Sequence, residues 1–386
     1  MTAVIAILVD SYRELIAKKL FWFVLAISLL IVVSFGSIGF NDKGVSVGYG
    51  IYTIENEVLK EGSPLIKPFM DFAFASVIVT MWLAWGAIIL ALISTAEVFP
   101  NFLAGGAIDL VLSKPVRRTT VFFSKYLGSL LFVLMQVGIF CVGVLLVMRW
   151  RVGEWRWAIL LAIPVLVLVF SYLYSIMVLF NILTRSTLPS LVLTLFAWLS
   201  LFTLHTTDGI LLTQFRIRAE VDRDAYAKRI DWYEQRIEQA AQEGDNDAVN
   251  RYRIRLDSDE ASLAEAQRRV DKWTPISQAA NLATLLLPKT SSTTNIVQRQ
   301  LQSSGGMNAS SLMDALRGDK PEPPPPAEIY ENDSKMEMYQ RRDREIMRRA
   351  EEYENSRPAW MIIGTSLLFE GAVLAVACFI FVRRDN

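Results

Sequence analysis

The 386-residue chain balances 39 Lys plus Arg against 39 Asp plus Glu, so no basic field exists to hold a nucleic acid. Hydrophobic residues make up 53% and charged residues 20%, below the roughly 25% of an average soluble domain. A single histidine, His205, excludes histidine-rich metal centres, Cys141 and Cys378 both fall in apolar runs, and nothing in the composition calls for a cofactor.

The charge shortfall is concentrated in runs of about 20 apolar residues, enough at about 1.5 Å per residue to cross a hydrocarbon core of about 30 Å. The pattern predicts an all-α polytopic membrane protein with six transmembrane helices near 20–40, 72–96, 121–148, 158–181, 187–205 and 359–382. Ahead of the first span, Ile5, Leu8, Tyr12, Leu15 and Ile16 share a helical face, while Asp10, Arg13, Glu14 and Lys18 fall mostly elsewhere. This reads as an N-terminal interfacial helix over 2–19, the alternative being one long helix that runs directly into the membrane. The basic pair Lys18-Lys19 follows the apolar stretch Thr2–Val9, the reverse of a cleavable signal.

Short-loop lysines and arginines set the orientation. Lys18, Lys19, Lys114, Arg117, Arg118, Lys125, Arg185, Arg383 and Arg384 share one side if there are six spans, which puts both termini in the cytoplasm. The expected location is the cytoplasmic (inner) membrane, with the lipid bilayer as the first partner. One loop runs against the rule: Arg149, Arg151 and Arg156, interleaved with Trp150, Trp155 and Trp157, fall outside. Interfacial tryptophans with arginines reaching for headgroups account for it at this level.

The chain therefore divides into 1–205 with spans one to five, an extracytoplasmic insert at 206–357, and 358–386 with span six and a basic cytoplasmic tail. In the insert, Tyr226, Ile230, Tyr233, Ile237 and Ala240 repeat in heptads, and Val249, Tyr252, Leu256, Leu263, Ala266, Val270 and Trp273 resume the rhythm after the turn cluster at 243–247. An antiparallel coiled-coil hairpin over 216–273 follows, with Thr274-Pro275 ending its second arm. It suits a spacer or a docking arm for an extracytoplasmic protein partner, with gating as the alternative. Residues 276–288 are too few to span and read as re-entrant or interfacial; 303–327 form a flexible proline-rich linker, and 328–355 a charged helix with Met336, Tyr339, Ile346, Ala350 and Tyr353 as its apolar stripe.

Chemistry is sparse. The dipeptide Gly-Lys does not occur, so the chain has no P-loop and no ATPase site of its own, and nothing else marks it as an enzyme. Glu370 stands near the centre of span six, where a carboxylate costs on the order of 2.5–3.5 kcal/mol on insertion scales. It must face the bundle interior, a partner or a polar cavity; substrate contact, proton coupling and a protonated carboxyl bonded to a neighbouring helix all fit.

The segment between spans two and three carries a resemblance. It runs from Glu97 through Ile108-Asp109-Leu110-Val111-Leu112-Ser113-Lys114-Pro115-Val116-Arg117-Arg118 to Ser124-Lys125-Tyr126-Leu127-Gly128. This is similar to the permeases of the ABC type-2 exporter family, especially the nitrous-oxide-reductase maturation permease group, whose loop passes through an L-L-L-S-x-P-V-S-R core into G-K-Y-L-G. The order of an amphipathic N-terminal helix, six spans, an L-L-P region before the last span and a basic tail matches as well. The resemblance implies the membrane-spanning permease subunit of an ABC transporter, driven by a separate ATPase subunit on the cytoplasmic side and working as a homodimer or with a related permease. It implies that 97–120 is the cytoplasmic coupling loop, with Ile108, Asp109, Leu110, Leu112, Ser113, Lys114, Pro115, Val116, Arg117 and Arg118 meeting the ATPase. The competing expectation is a non-transporting membrane scaffold or signalling protein that uses the hairpin for docking.

Overall fold

The computed structural model describes residues 13, 16–17, 19–55, 58–104, 117–303 and 335–383. Most of the expected interfacial helix at 2–19, the loop core 105–116 and the linker 304–327 lie outside the described residues. Helix dominates, and among the described residues six helices are long and apolar enough to cross a membrane. The chain is a multi-pass membrane protein. Large apolar side chains such as Leu29, Leu30, Leu188, Val192, Phe196 and Leu368 face outward from these helices, an arrangement that lipid accepts and water does not. The chain divides into two units, residues 1–202, 287–319 and 359–386 in the first, and 203–286 with 320–358 in the second.

The first unit holds the spans. Helix α1 (Lys19–Gly36) ends four residues short of the expected span, because Gly39–Asn41 starts a strand. Strands β1 (Gly39–Asn41), β2 (Gly44–Val47) and β3 (Tyr52–Glu55) make an antiparallel sheet in that order, with Phe40 opposite Val45 and Val45 opposite Ile54. The Asn41 side chain accepts from the amides of Lys43 and Gly44 at 3.1 and 3.0 Å and closes the first turn. The second turn needs three consecutive residues with positive φ, Gly48, Tyr49 and Gly50, a demand two glycines make feasible. Sequence reading passed over this sheet.

Span two comprises α2 (Ile66–Phe72), wide π-type turns over Ala73–Ala87, and α3 (Ile88–Thr95), followed by the short α4 (Val98–Ala104). Span three is α5 (Arg118–Val152), stopped by Gly153 in the left-handed conformation. A 3₁₀ turn at Trp157–Leu161 leads into α6 (Ala162–Thr184), the most buried of the spans. Its centre (Phe170, Ser171, Tyr172, Leu173, Tyr174, Ser175) is almost wholly enclosed. Helix α7 (Thr187–Ile210) follows, and helical backbone continues to Glu243.

In the second unit, π-type turns at Leu211–Ile217 precede α8 (Arg218–Glu243), which pairs antiparallel with α9 (Asn246–Thr284). Arg229 holds Asp259 through two hydrogen bonds of 2.8 and 2.7 Å, and Trp232 packs edge-on to Tyr252. Gly244 supplies the left-handed turn, and the Asp245 side chain caps α9 on the Ala248 amide at 2.9 Å. Helix α9 corrects two expectations. It does not stop at Pro275 but runs on to Thr284, so 276–288 is no separate re-entrant segment. Proline removes one helical N–H, and a helix survives that loss when the flanking turns are held. Here Thr274 and Ser277 hydroxyls bond carbonyls one turn back, Asn281 contacts Tyr353 and Arg357, and Thr284 contacts Asp208.

The short helix that does enter the first unit comes later, as α10 (Thr290–Ser303). Its 14 residues are too few to span, and Thr293 and Val297 are fully buried against the membrane helices. Its polar composition hid it from hydropathy.

Helix α11 (Lys335–Ser356) packs on the base of the hairpin, where Ile346 and Ala350 meet Leu212, Ile217 and Val221. Tyr339, expected on the same stripe, is exposed. Within α11, hydrogen bonds from Arg348 and then Arg349 hold the Glu345 carboxyl below the usual carboxylate range, against opposing desolvation. The ionised form therefore belongs to the folded helix. Its contribution, on the order of 0.5 kcal/mol for a partly exposed i,i+4 pair, should be intact above about pH 4.3 and disappear as pH falls through the lowered native value. Helicity of α11 followed by circular dichroism should show that acid step in the wild type and lose it in Glu345→Gln. Span six, α12 (Ala359–Arg383), completes the first unit.

Candidate functional site

Glu370 turns inward from α12 and is 8% exposed. The Tyr126 hydroxyl of α5 lies 2.7 Å from its Oε1, and the Ser171 hydroxyl of α6 lies 2.9 Å from its Oε2. A carboxyl that would be costly in lipid thus has both oxygens bonded, each by a different span. Tyr126 also stacks on Tyr174, whose hydroxyl shares a 2.7 Å hydrogen bond with Ser129. One turn earlier on α12, Ser366 bonds the Lys289 amide at 3.1 Å, with Tyr172 and Thr293 beside it. A seam of hydroxyls therefore runs between α5, α6, α10 and α12, with a single carboxyl in it among the described residues.

The predicted loop residues Ile108, Asp109, Leu110, Leu112, Ser113, Lys114, Pro115 and Val116 lie outside the described residues. Their flanks are well defined. Phe99 in α4 packs on Phe122 in α5 at 5.5 Å, and Phe122 packs on Phe381 in α12 at 5.7 Å. Phe102 stacks on Phe381, the Lys125 ammonium lies 5.8 Å from the Phe102 ring, and Arg118 reaches the Val382 carbonyl at 3.4 Å. The loop thus leaves and re-enters the bundle beside the C-terminal end of span six. Arg117 shows extended backbone just before α5 begins.

At the opposite end of the bundle the arginine loop corrects its sequence reading. Arg156 does not reach for headgroups. It turns inward and bonds Asp71 at the end of α2 through both guanidinium edges, Nε to Oδ1 at 3.1 Å and Nη2 to Oδ2, with both residues buried. Arg151 bonds the Gly36 carbonyl at 2.8 Å and lies over Trp150 and Tyr49, and Arg149 bonds the Gly153 carbonyl beside Trp155. The exposed carboxyl of Glu154 is held below its ordinary range by Lys67, 2.5 Å away. Arg156 and Glu154 thus have ionic partners in Asp71 and Lys67, whereas Arg149 and Arg151 are held by backbone carbonyls and aromatic rings.

Comparison with family models, with curated proteins and with solved structures found no match. The functional reading therefore rests on the residues themselves. Sequence reasoning found Glu370 from its position in an apolar run but missed Tyr126, Ser171 and the Asp71–Arg156 pair. One signal was available: Tyr126 with Ser129, and Ser171 with Tyr174, repeat hydroxyls three residues apart and so mark one face of each helix.

Proposed function

We propose that the chain is the membrane-spanning permease subunit of an ABC transporter, moving substrate across the cytoplasmic membrane under the drive of a separate ATPase subunit. In this reading both termini are cytoplasmic, the α8–α9 pair is an extracytoplasmic coiled-coil hairpin, and the working unit is a homodimer or a pair with a related permease. The observation that carries it is the setting of the loop that resembles a coupling helix. Its two flanks are joined to each other and to span six by the Phe99–Phe122–Phe381 contacts and by Arg118 on Val382. A push on the loop therefore reaches spans two, three and six as one body, the kind of rigid transmission that ATPase closure requires. Phe122 and Tyr126 lie one turn apart on α5, so the same push reaches the helices that clasp Glu370.

A scaffold role for the hairpin explains its dense ion pairing but leaves the loop and the intramembrane hydroxyl seam without a purpose. The deciding experiment is co-purification of the full chain with candidate soluble ATPases of the ABC class. Association should be retained by the wild type and lost when Leu112 and Val116 are both replaced by aspartate, since charge placed on the apolar docking face has no partner there. Undiminished association of the double variant would remove the coupling role from this loop.

A further inference from the structure

The hydrogen bonds around Glu370 can be completed in either of two proton arrangements. Tyr126 Oη lies 2.7 Å from Glu370 Oε1 and 3.1 Å from the Ser171 carbonyl. Ser171 Oγ lies 2.9 Å from Oε2 and 2.8 Å from the Leu168 carbonyl. Each hydroxyl owns one proton and has two acceptors in reach. With Glu370 ionised, both hydroxyls donate to the carboxylate. With Glu370 protonated, Tyr126 turns its proton to the Ser171 carbonyl and accepts from Oε1, while Ser171 still donates to Oε2. Neither state leaves a buried polar atom of the cluster unpaired, because the two carbonyls also accept from the helical amides of α6.

The charged and titratable surroundings favour exchange over a fixed charge. The elements against α12 present Lys125 and Tyr126 from α5, Tyr172 and Tyr174 from α6, and Lys289 and Arg299 at the start of and within α10. The Lys125 ammonium lies over the Phe102 ring, and among the described residues the carboxyl is hydrogen-bonded by Tyr126 and Ser171. Among the described residues the carboxyl has no ion pair of the kind that joins Arg156 to Asp71.

The geometry points to Glu370 as a reversible proton-binding site at the junction of α5, α6 and α12. The step is the uptake of one proton from water by the carboxylate to give the carboxylic acid, with the Tyr126 proton rotating from Glu370 to the Ser171 carbonyl and no other bond formed or broken. The inference rests on the clasp and not on the transporter reading, and its test does not involve an ATPase.

The test is infrared difference spectroscopy of the full chain in lipid vesicles as pH is stepped between about 5 and 9. Acidification should raise a protonated-carboxyl C=O band in the wild type that Glu370→Gln lacks. Tyr126→Phe and Ser171→Ala should each move the frequency and midpoint of that band, since each removes one hydrogen bond to the carboxyl; these two variants assign the band even if Glu370→Gln fails to fold. Wild-type spectra without a titrating band, a band unchanged in Glu370→Gln, or a band unmoved in both hydroxyl variants would each overturn the assignment.

Discussion

Asp71→Ala is expected to destabilise the membrane unit by about 3–5 kcal/mol, the largest effect of any single side chain considered. The reason is what remains after the change. Arg156 is 8% exposed and Asp71 2%, so removing the carboxylate leaves a buried guanidinium without its bidentate partner. The intact pair is worth much less than this figure, since its attraction is largely offset by the cost of taking both ions out of water. Asp71→Leu combined with Arg156→Leu should therefore recover most of the loss, a result that separates an orphaned charge from a lost attraction. Glu154→Ala, which breaks the exposed pair with Lys67, should change little. Unfolding in mixed micelles, followed by tryptophan fluorescence, would measure all three. A small loss for Asp71→Ala would mean that water reaches the pair.

The same pair shows where sequence reading stops. The spans were legible because a run of apolar residues has one physical meaning at that length, and five of their starts fall within a few residues of the helices found. Glu370 was legible because a charge in such a run demands an explanation. Arg156 was misread because its partner stands 85 positions away, and nothing local distinguishes an arginine that pairs inward from one that reaches for a headgroup. Pro275 was misread for a related reason: the rule that proline ends helices is a statement about backbone bonds, and the contacts of Asn281 and Thr284 that hold the following turns are tertiary. Helix α10 escaped because hydropathy finds helices that face lipid, and a threonine-rich helix enclosed by other helices has no such face. The loop core at 108–116, central to the transporter reading, carries a resemblance but no described geometry.

Asp222→Ala is expected to loosen α11 from the hairpin base, with a cost of about 2–3 kcal/mol. Asp222 is buried in α8 and gathers charge from two other helices. Arg342 of α11 approaches Oδ1 at 2.8 Å and Oδ2 at 3.0 Å, and Arg269 of α9 lies 3.4 Å from Oδ2. One carboxylate thus ties three helices together, whereas the apolar cluster that α11 forms with the base among the described residues is small, Ile346 and Ala350 against Leu212, Ile217 and Val221. Asp224 with Arg349 gives a second tie at 2.8 Å, which keeps the loss below complete release. The cost should appear as faster amide hydrogen exchange along 335–356, with exchange in α8 and α9 near Arg229 and Asp259 much less affected. Glu352→Ala breaks only an exposed bond to Arg348 and should leave exchange within about 0.5 kcal/mol of wild type. Equal effects for Asp222→Ala and Glu352→Ala would mean that burial at Asp222 adds nothing, and that α11 is held by its apolar stripe alone.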